Sequence, residues 1–316
     1  MYKMLVSSCG CCVEIESNIN IYQRLKGKID FIDFPKIMLE ENYKNEDIKY
    51  KVKYINCDNR TIKYEDNILM IKYPINELDN GMTIMFLLYP LLEVNRRFNK
   101  SLTCHAAAIS LNGNGIMLLG KEGAGKTTIA IELCRKYGAK IIGNDLCVID
   151  YKTLDNIKLL GGTQYFFLRY ESIKRNIPQL LNKFNVENVK KDIDTWTLKK
   201  KFYPKELEID IEKKIIEANK FYIVHIDNEK NFFCKDARTL NNILYLNENF
   251  SRYIRNTCTT MINNGKIIDY IPSLDNKKFA SERNELINYL FKTNKIEYVS
   301  GNISDVSNYI AKEGKK

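Results

Sequence analysis

A chain of 316 residues with 45% hydrophobic side chains can build one large core or two modest ones, which excludes a wholly disordered protein. The excess of 49 Lys and Arg over 39 Asp and Glu leaves a net charge of +10. That balance admits a nucleotide, a phosphorylated substrate, an acidic peptide or a nucleic acid as partner, and net charge alone does not choose among them. The nine cysteines are odd in number and scattered through a chain too long to need a disulfide scaffold, so a reducing cytoplasm is the expected compartment.

Residues 1 to 78 read as short strands joined by polar turns: Lys3–Val6, Cys11–Ile15, Ile48–Ile55, Thr61–Tyr64 and Ile68–Ile71. The period-two alternation of Ile48, Tyr50, Val52 and Tyr54 is the clearest signal, and the segment is expected to form a β-rich N-terminal subdomain. Its first residues lack the basic-then-apolar order of a signal peptide. Cys9-Gly10-Cys11-Cys12 invites a metal, but no second Cys or His pair with ligand spacing accompanies it. Residues 79 to 316 are expected to form the second domain. It opens with a buried helix over Met82–Phe98, kinked at Pro90 and closing on Arg96 and Arg97, charges suited to a helix C-terminus. The apolar run Met82–Val94 is too short to span a bilayer, so no membrane partner is expected.

The pattern is sharpest over Leu102–Asp150. A small-residue strand, Leu102–Leu111, meets the turn Asn112-Gly113-Asn114-Gly115 and returns as the apolar strand Ile116–Leu119. A glycine-rich loop, Gly120 to Gly125, precedes a helix over Lys126–Tyr137 that stops at Gly138. Two strands follow, Ala139–Ile142 and Leu146–Ile149, flanking Gly143-Asn144-Asp145. Farther on, strands are expected at Tyr165–Arg169 and Phe221–Asp227. Helices are expected at Ile173–Lys183, Thr239–Leu246, Ser251–Asn263, Lys278–Phe291 and Ser304–Ala311.

Gly120-Lys121-Glu122-Gly123-Ala124-Gly125-Lys126-Thr127 satisfies the pattern G-x-x-x-x-G-K-[ST], between a strand and a helix. Glycines at this spacing let successive backbone N–H groups turn inward around a phosphate, and the helix adds its positive end. Lys126 supplies a point charge for the β- and γ-phosphates of ATP or another nucleoside triphosphate, and the Thr127 hydroxyl is a ligand for Mg²⁺. Asp145 is the candidate second metal ligand. His105, on the strand that hairpins onto the one before the loop, is a candidate beside the reacting phosphate. Arg169, at a strand end, either forms a surface salt bridge or neutralises phosphate charge, and Lys199-Lys200-Lys201 is either a solvated run or a grip for a phosphate or an acidic peptide.

The order His105-Ala106-Ala107-Ala108, turn, Gly120 through Thr127 and Thr128, helix, then Ile141-Ile142-Gly143-Asn144-Asp145 resembles the catalytic half of the HPr kinase/phosphorylase family. The nucleotide core of phosphoenolpyruvate carboxykinase is similar. Gly161-Gly162-Thr163-Gln164 through Arg169, and Glu297-Tyr298-Val299 to Ile310, resemble later segments of the same group, and residues 1 to 78 add nothing to the likeness. The resemblance implies an α/β fold, a P-loop kinase core with a mixed sheet, and Mg²⁺-dependent transfer of the ATP γ-phosphoryl group to a hydroxyl of a peptide, protein or small molecule. It places Gly120 to Thr128 on the nucleotide, Asp145 at the metal, and His105, Asn144 and Arg169 around the acceptor. Relatives often assemble, so a homo-oligomer is compatible with it.

Position 144 departs from the pattern, which has two adjacent aspartates. An amide cannot take up a proton, though it can position a hydroxyl. Either Asp145 or His105 then acts as base, or turnover is weakened or has been given up. The competing expectation is a nucleotide-binding protein that recruits a peptide or another enzyme without transferring phosphate. Carboxykinase chemistry fits less well, because the chain is short for it and its manganese-binding Lys and His cannot be placed.

Overall fold

A computed structural model describes residues 1–28, 34–41, 43, 48–78, 82–184, 198–255, 260–263 and 266–314. In chain order the elements are β1 (Tyr2–Ser8), β2 (Cys11–Ser17), α1 (Ile21–Leu25), β3 (Ile37–Glu40), β4 (Lys51–Ile55), β5 (Thr61–Glu65), β6 (Ile68–Lys72), α2 (Met82–Phe98), β7 (Ser101–His105), β8 (Ala107–Leu111) and β9 (Asn114–Leu119). There follow α3 (Lys126–Tyr137), β10 (Lys140–Gly143), β11 (Leu146–Asp150), β12 (Lys158–Gly162), β13 (Phe166–Arg169), α4 (Tyr170–Asn176), β14 (Lys199–Phe202), β15 (Ile216–Ile226) and β16 (Phe233–Asp236). The chain closes with α5 (Leu240–Arg255), β17 (Thr260–Asn263), β18 (Lys266–Tyr270), α6 (Lys277–Lys292), β19 (Ile296–Gly301) and α7 (Ile303–Glu313). The fold is α/β with mixed sheets, and among the described residues no helix is long and apolar enough to cross a membrane.

The chain divides into two compact units, both built from separate stretches. The first comprises Met1–Cys104, Asp150–Lys152 and Ile243–Ile287, and the second His105–Ile149, Thr153–Asn242 and Asn288–Lys316. The boundary expected after residue 78 therefore lies inside the first unit, which also takes in α2 and a later return of the chain.

In the first unit a six-stranded sheet runs β3-β1-β2-β4-β6-β5, with parallel pairs β2/β4 and β4/β6 and antiparallel pairs elsewhere. Period-two alternation sorts the faces. Val52, Tyr54, Leu69 and Ile71 are fully buried, while the register Glu14↔Lys51 and Glu16↔Lys53 sets charges opposite each other on the other face, with Lys51 Nζ 2.8 Å from Glu14. Helix α2 packs on β2 and contains Pro90 within its continuous span.

Arg96 and Arg97 stand in the last turn of α2, as expected, and do so in the interior. Both are buried with Glu93. Glu93 meets Arg97 at 3.0 Å and Arg96 at 3.4 Å, and accepts hydrogen bonds from the Thr103 backbone N–H (3.0 Å) and hydroxyl (2.7 Å). Arg96 donates to Thr103 Oγ1 and to Ser8 Oγ, and Arg97 donates to the Phe250 carbonyl. Burial of like-charged guanidiniums is tolerable only because one carboxylate faces both.

In the second unit the long strand β15 lies between parallel neighbours β9 and β19, and its start pairs antiparallel with β12. The sheet continues through β8 and β10 on one side and β11 beyond β12, with β16 on β19. Helices α3 and α7 pack together over a core that includes Ile109, Leu118, Ile129, Leu133, Val224, Val306 and Ile310.

Four local expectations are corrected. The strand Leu102–Leu111 is two strands broken at Ala106, whose N–H bonds to Asp145 O rather than continuing a ladder. The helix Ile173–Lys183 ends at Asn176 and resumes as a 3-10 turn over Pro178–Phe184, because Pro178 has no N–H to donate. The helices Thr239–Leu246 and Ser251–Asn263 are one helix, α5, ending at Arg255; residues 256–259 fall outside the described set, and Thr260–Asn263 is strand.

Replacing Glu93 by Gln leaves Arg96 and Arg97 buried without a counter-charge. Urea unfolding should show a loss of about 3–5 kcal/mol; a change below about 1 kcal/mol would mean the two guanidiniums are neutralised by something else.

Candidate functional site

The loop from Gly120 to Gly125 lies within the second unit, between buried β9 and α3. Its geometry depends on residues without a Cβ. Gly125 caps α3 at φ +94°, and a Cβ there would lie 2.3 Å from Ile226 Cγ1. Ile226, at the end of β15, in turn donates its N–H to Ala124 O at 3.0 Å, so the central strand anchors the loop. Lys121, Glu122 and Gly123 are exposed, whereas Lys126 is buried. Its ammonium reaches back across the loop and donates to Gly120 O (2.8 Å) and Lys121 O (3.1 Å). The helix start thus presents a cation and the first-turn N–H groups of α3, including Thr127 and Thr128, on the loop side.

The chain from β10 to β11 forms the facing wall. Gly143 and Gly162 pass in direct backbone contact: a Cβ added at Gly143 would sit 2.4 Å from Gly162 Cα. This approach brings Thr163 against Asn144. Asn144 N donates to Thr163 O at 2.8 Å, and the Thr163 hydroxyl donates to Asn144 O. Asn144 is 1% exposed, and both ends of its amide are engaged. Oδ1 accepts from the Thr127 hydroxyl at 2.8 Å and Nδ2 donates to Tyr165 O at 3.3 Å. Position 144 is therefore tied to the first turn of α3 through Thr127 and to the start of β13 through the Tyr165 carbonyl.

Asp145 occupies the apex of a tight turn closed by Leu146 N to Asn144 O at 2.9 Å, with φ +65°. Aspartate tolerates this left-handed backbone better than most residues. Its carbonyl accepts from Ala106 N at 3.2 Å, so His105, the preceding residue, and Asp145 are held as spatial neighbours, each half-buried. Arg169 ends β13 and forms an ion pair with Glu122 of the loop, Nη2 to Oε1 at 2.9 Å. With side chains 40% and 83% exposed, that pair contributes under about 1 kcal/mol.

The structure thus gathers the loop, Thr127, Asn144 and Arg169 by direct contacts, and His105 with Asp145 by a backbone bond one residue away. Gly162, Thr163 and Tyr165 hold Asn144 and were not singled out as site residues; the Gly161-Gly162-Thr163 run was their only sequence signal. Among the described residues no group of three or more His, Cys, Asp or Glu is placed to hold a metal ion. A hydroxyl, an amide oxygen and one carboxylate suit Mg²⁺ that arrives on phosphates and keeps several waters, not a cation caged by protein alone.

Comparison of the sequence with family models and with curated proteins returns no match.

Gly143→Ala forces the two touching backbones apart. It should cost about 1–3 kcal/mol in urea unfolding. Unchanged stability would show that the contact with Gly162 is loose.

Proposed function

We propose that this chain binds a nucleoside triphosphate, ATP in the first instance, with Mg²⁺ at the loop Gly120–Thr128, and transfers its γ-phosphoryl group to a hydroxyl acceptor, as a kinase of the HPr kinase-like type. The observation that carries this reading is the joint arrangement of the glycine loop, the Lys126 ammonium lying across it, and the Thr127 hydroxyl fixed by Asn144.

In this reading incoming phosphate oxygens replace the Gly120 and Lys121 carbonyls as partners of Lys126 and accept from the α3 first-turn N–H groups. Mg²⁺ arriving with the phosphates would neutralise charge on them. Thr127 and Asp145 would hold it from the protein side, while Asn144 orients the Thr127 oxygen. Arg169 leaves Glu122 for the γ-phosphate as negative charge spreads over its oxygens. The acceptor oxygen bonds to the γ-phosphorus as the bond from that phosphorus to the β–γ bridging oxygen breaks, the electron pair leaving with the nucleoside diphosphate. The acceptor proton passes to Asp145 or to His105 beside it. Asn144 is not the base, since an amide accepts no proton and both its ends are engaged.

A second reading is supported by the same residue. A neutral amide where the family carries a carboxylate is compatible with nucleotide binding that orders a recruiting surface without transfer. Incubation with γ-labelled ATP, Mg²⁺ and candidate acceptors separates the two: label on an acceptor marks a kinase, and saturable binding alone marks a recruiter.

Lys126→Ala should weaken nucleotide affinity by on the order of 10–100-fold in calorimetry, under either reading. Wild-type affinity in that variant would overturn both. Asn144→Asp adds a negative charge beside Thr127, so it should tighten binding when Mg²⁺ is present and loosen it in EDTA. Equal shifts in the two buffers would remove Asn144 from the metal side.

A further inference from the structure

Strands β13 and β14 pair antiparallel with Phe167 opposite Lys201 and Arg169 opposite Lys199. Alternation sends Phe166, Leu168 and Phe202 into the core of the second unit. The opposite face carries Phe167 (47% exposed), Arg169, Lys199, Lys201 and, one residue past the strand, Tyr203 (42% exposed). The lysine run is thus not uniformly solvated. Lys200 points the other way and donates to Lys183 O at 2.6 Å, while the Lys201 ammonium lies 4.2 Å from the Tyr165 ring centroid and 5.3 Å from that of Tyr203. This face borders the candidate site at two points: Arg169 pairs with loop residue Glu122, and the Tyr165 carbonyl holds Asn144.

We infer that the outer face of the β13–β14 pair is the docking surface for an extended acidic peptide segment, whose hydroxyl side chain it brings to the loop. This deepens the kinase reading and rests on it for the purpose of docking. Three cations stand on one face of two adjacent strands, and Lys199 and Lys201 are two residues apart. Same-face side chains on a strand recur at about 6.8 Å, the interval at which carboxylates at alternate positions of an extended peptide recur. The exposed rings of Phe167 and Tyr203 offer apolar contact between the charges. A single-stranded nucleic acid needs open ring faces for its bases, and here the Lys201 ammonium lies over the exposed rings themselves, 5.3 Å from the Tyr203 centroid and 6.0 Å from that of Phe167.

The test uses the full chain without nucleotide and a fluorescein-labelled ten-residue peptide alternating Glu and Ser, read by anisotropy. Comparison ligands are the peptide with Lys in place of Glu and a labelled ten-nucleotide oligouridine. The Glu peptide should bind, weaken with added salt, lose about tenfold or more in Lys199→Glu/Lys201→Glu, lose less in Lys199→Gln/Lys201→Gln, and be unaffected by Lys158→Glu, an exposed lysine on β12. Absence of binding, equal binding of the Lys peptide, tighter binding of oligouridine, or equal affinity in the charge-reversed variant would each overturn the inference. Nucleotide affinity measured on the same samples reports folding of the variants and tests the kinase reading separately: intact nucleotide binding without peptide binding defeats only the docking surface.

Discussion

The hydrogen bond from the Thr127 hydroxyl to Asn144 Oδ1 joins the two halves of the candidate site. On one side lie the loop and helix α3, fixed to β15 through Ala124 and Ile226; on the other lie the β10–β11 turn and the start of β13. A buried amide oriented by partners at both ends cannot rotate without leaving a polar group unsatisfied, at a cost of about 1–3 kcal/mol. The amide is fixed by the Tyr165 carbonyl, and its backbone by Thr163, which is where it is because Gly143 and Gly162 allow two strands to touch. A chain of close-packed, fully bonded groups therefore runs from the glycine contact to the first turn of α3.

Elements whose causes are local were legible in the sequence. Asn112-Gly113 marks the β8–β9 turn, Gly138 ends α3 in the left-handed conformation, and the glycine loop falls between strand and helix as its spacing requires. Contacts whose partners are backbone atoms or distant side chains were not. Glu93, Arg96 and Arg97 carry the same sequence signature whether a helix end faces water or interior, and only the placement of Thr103, Ser8 and the Phe250 carbonyl decides it. The Tyr165 carbonyl has no side-chain signature at all. Pro178 lies inside the helix expected over Ile173–Lys183, and there the steric exclusion of the proline ring takes precedence over apolar periodicity.

The three lysines of β14 show the same limit. Composition and charge run were plain, yet their meaning depends on strand register, which alternates Lys200 away from Lys199 and Lys201 and sets the latter two beside Arg169 and a cluster of rings. A charge run read as a helix would spread around a cylinder; in a strand it is split between two faces. Register, fixed by Phe166 and Phe202 in the core, is thus what converts a solvated-looking stretch into a one-sided cationic surface.

Position 144 links the electrostatics of the site to its function. On the kinase reading, aspartates at both 144 and 145 would set two carboxylates toward the phosphates, and repulsion between those charges would strengthen the demand for a divalent cation. With Asn144, the Thr127 oxygen is still oriented, because orientation needs only a hydrogen-bond acceptor, but one negative charge is removed from the wall opposite Lys126. On the kinase reading, Lys126 and, across the loop, Arg169 then stand against a single carboxylate at 145. On that reading proton acceptance is left to Asp145 or to His105 beside it, and the turn that holds the two together depends on the backbone bond to Ala106 and not on the identity of residue 144.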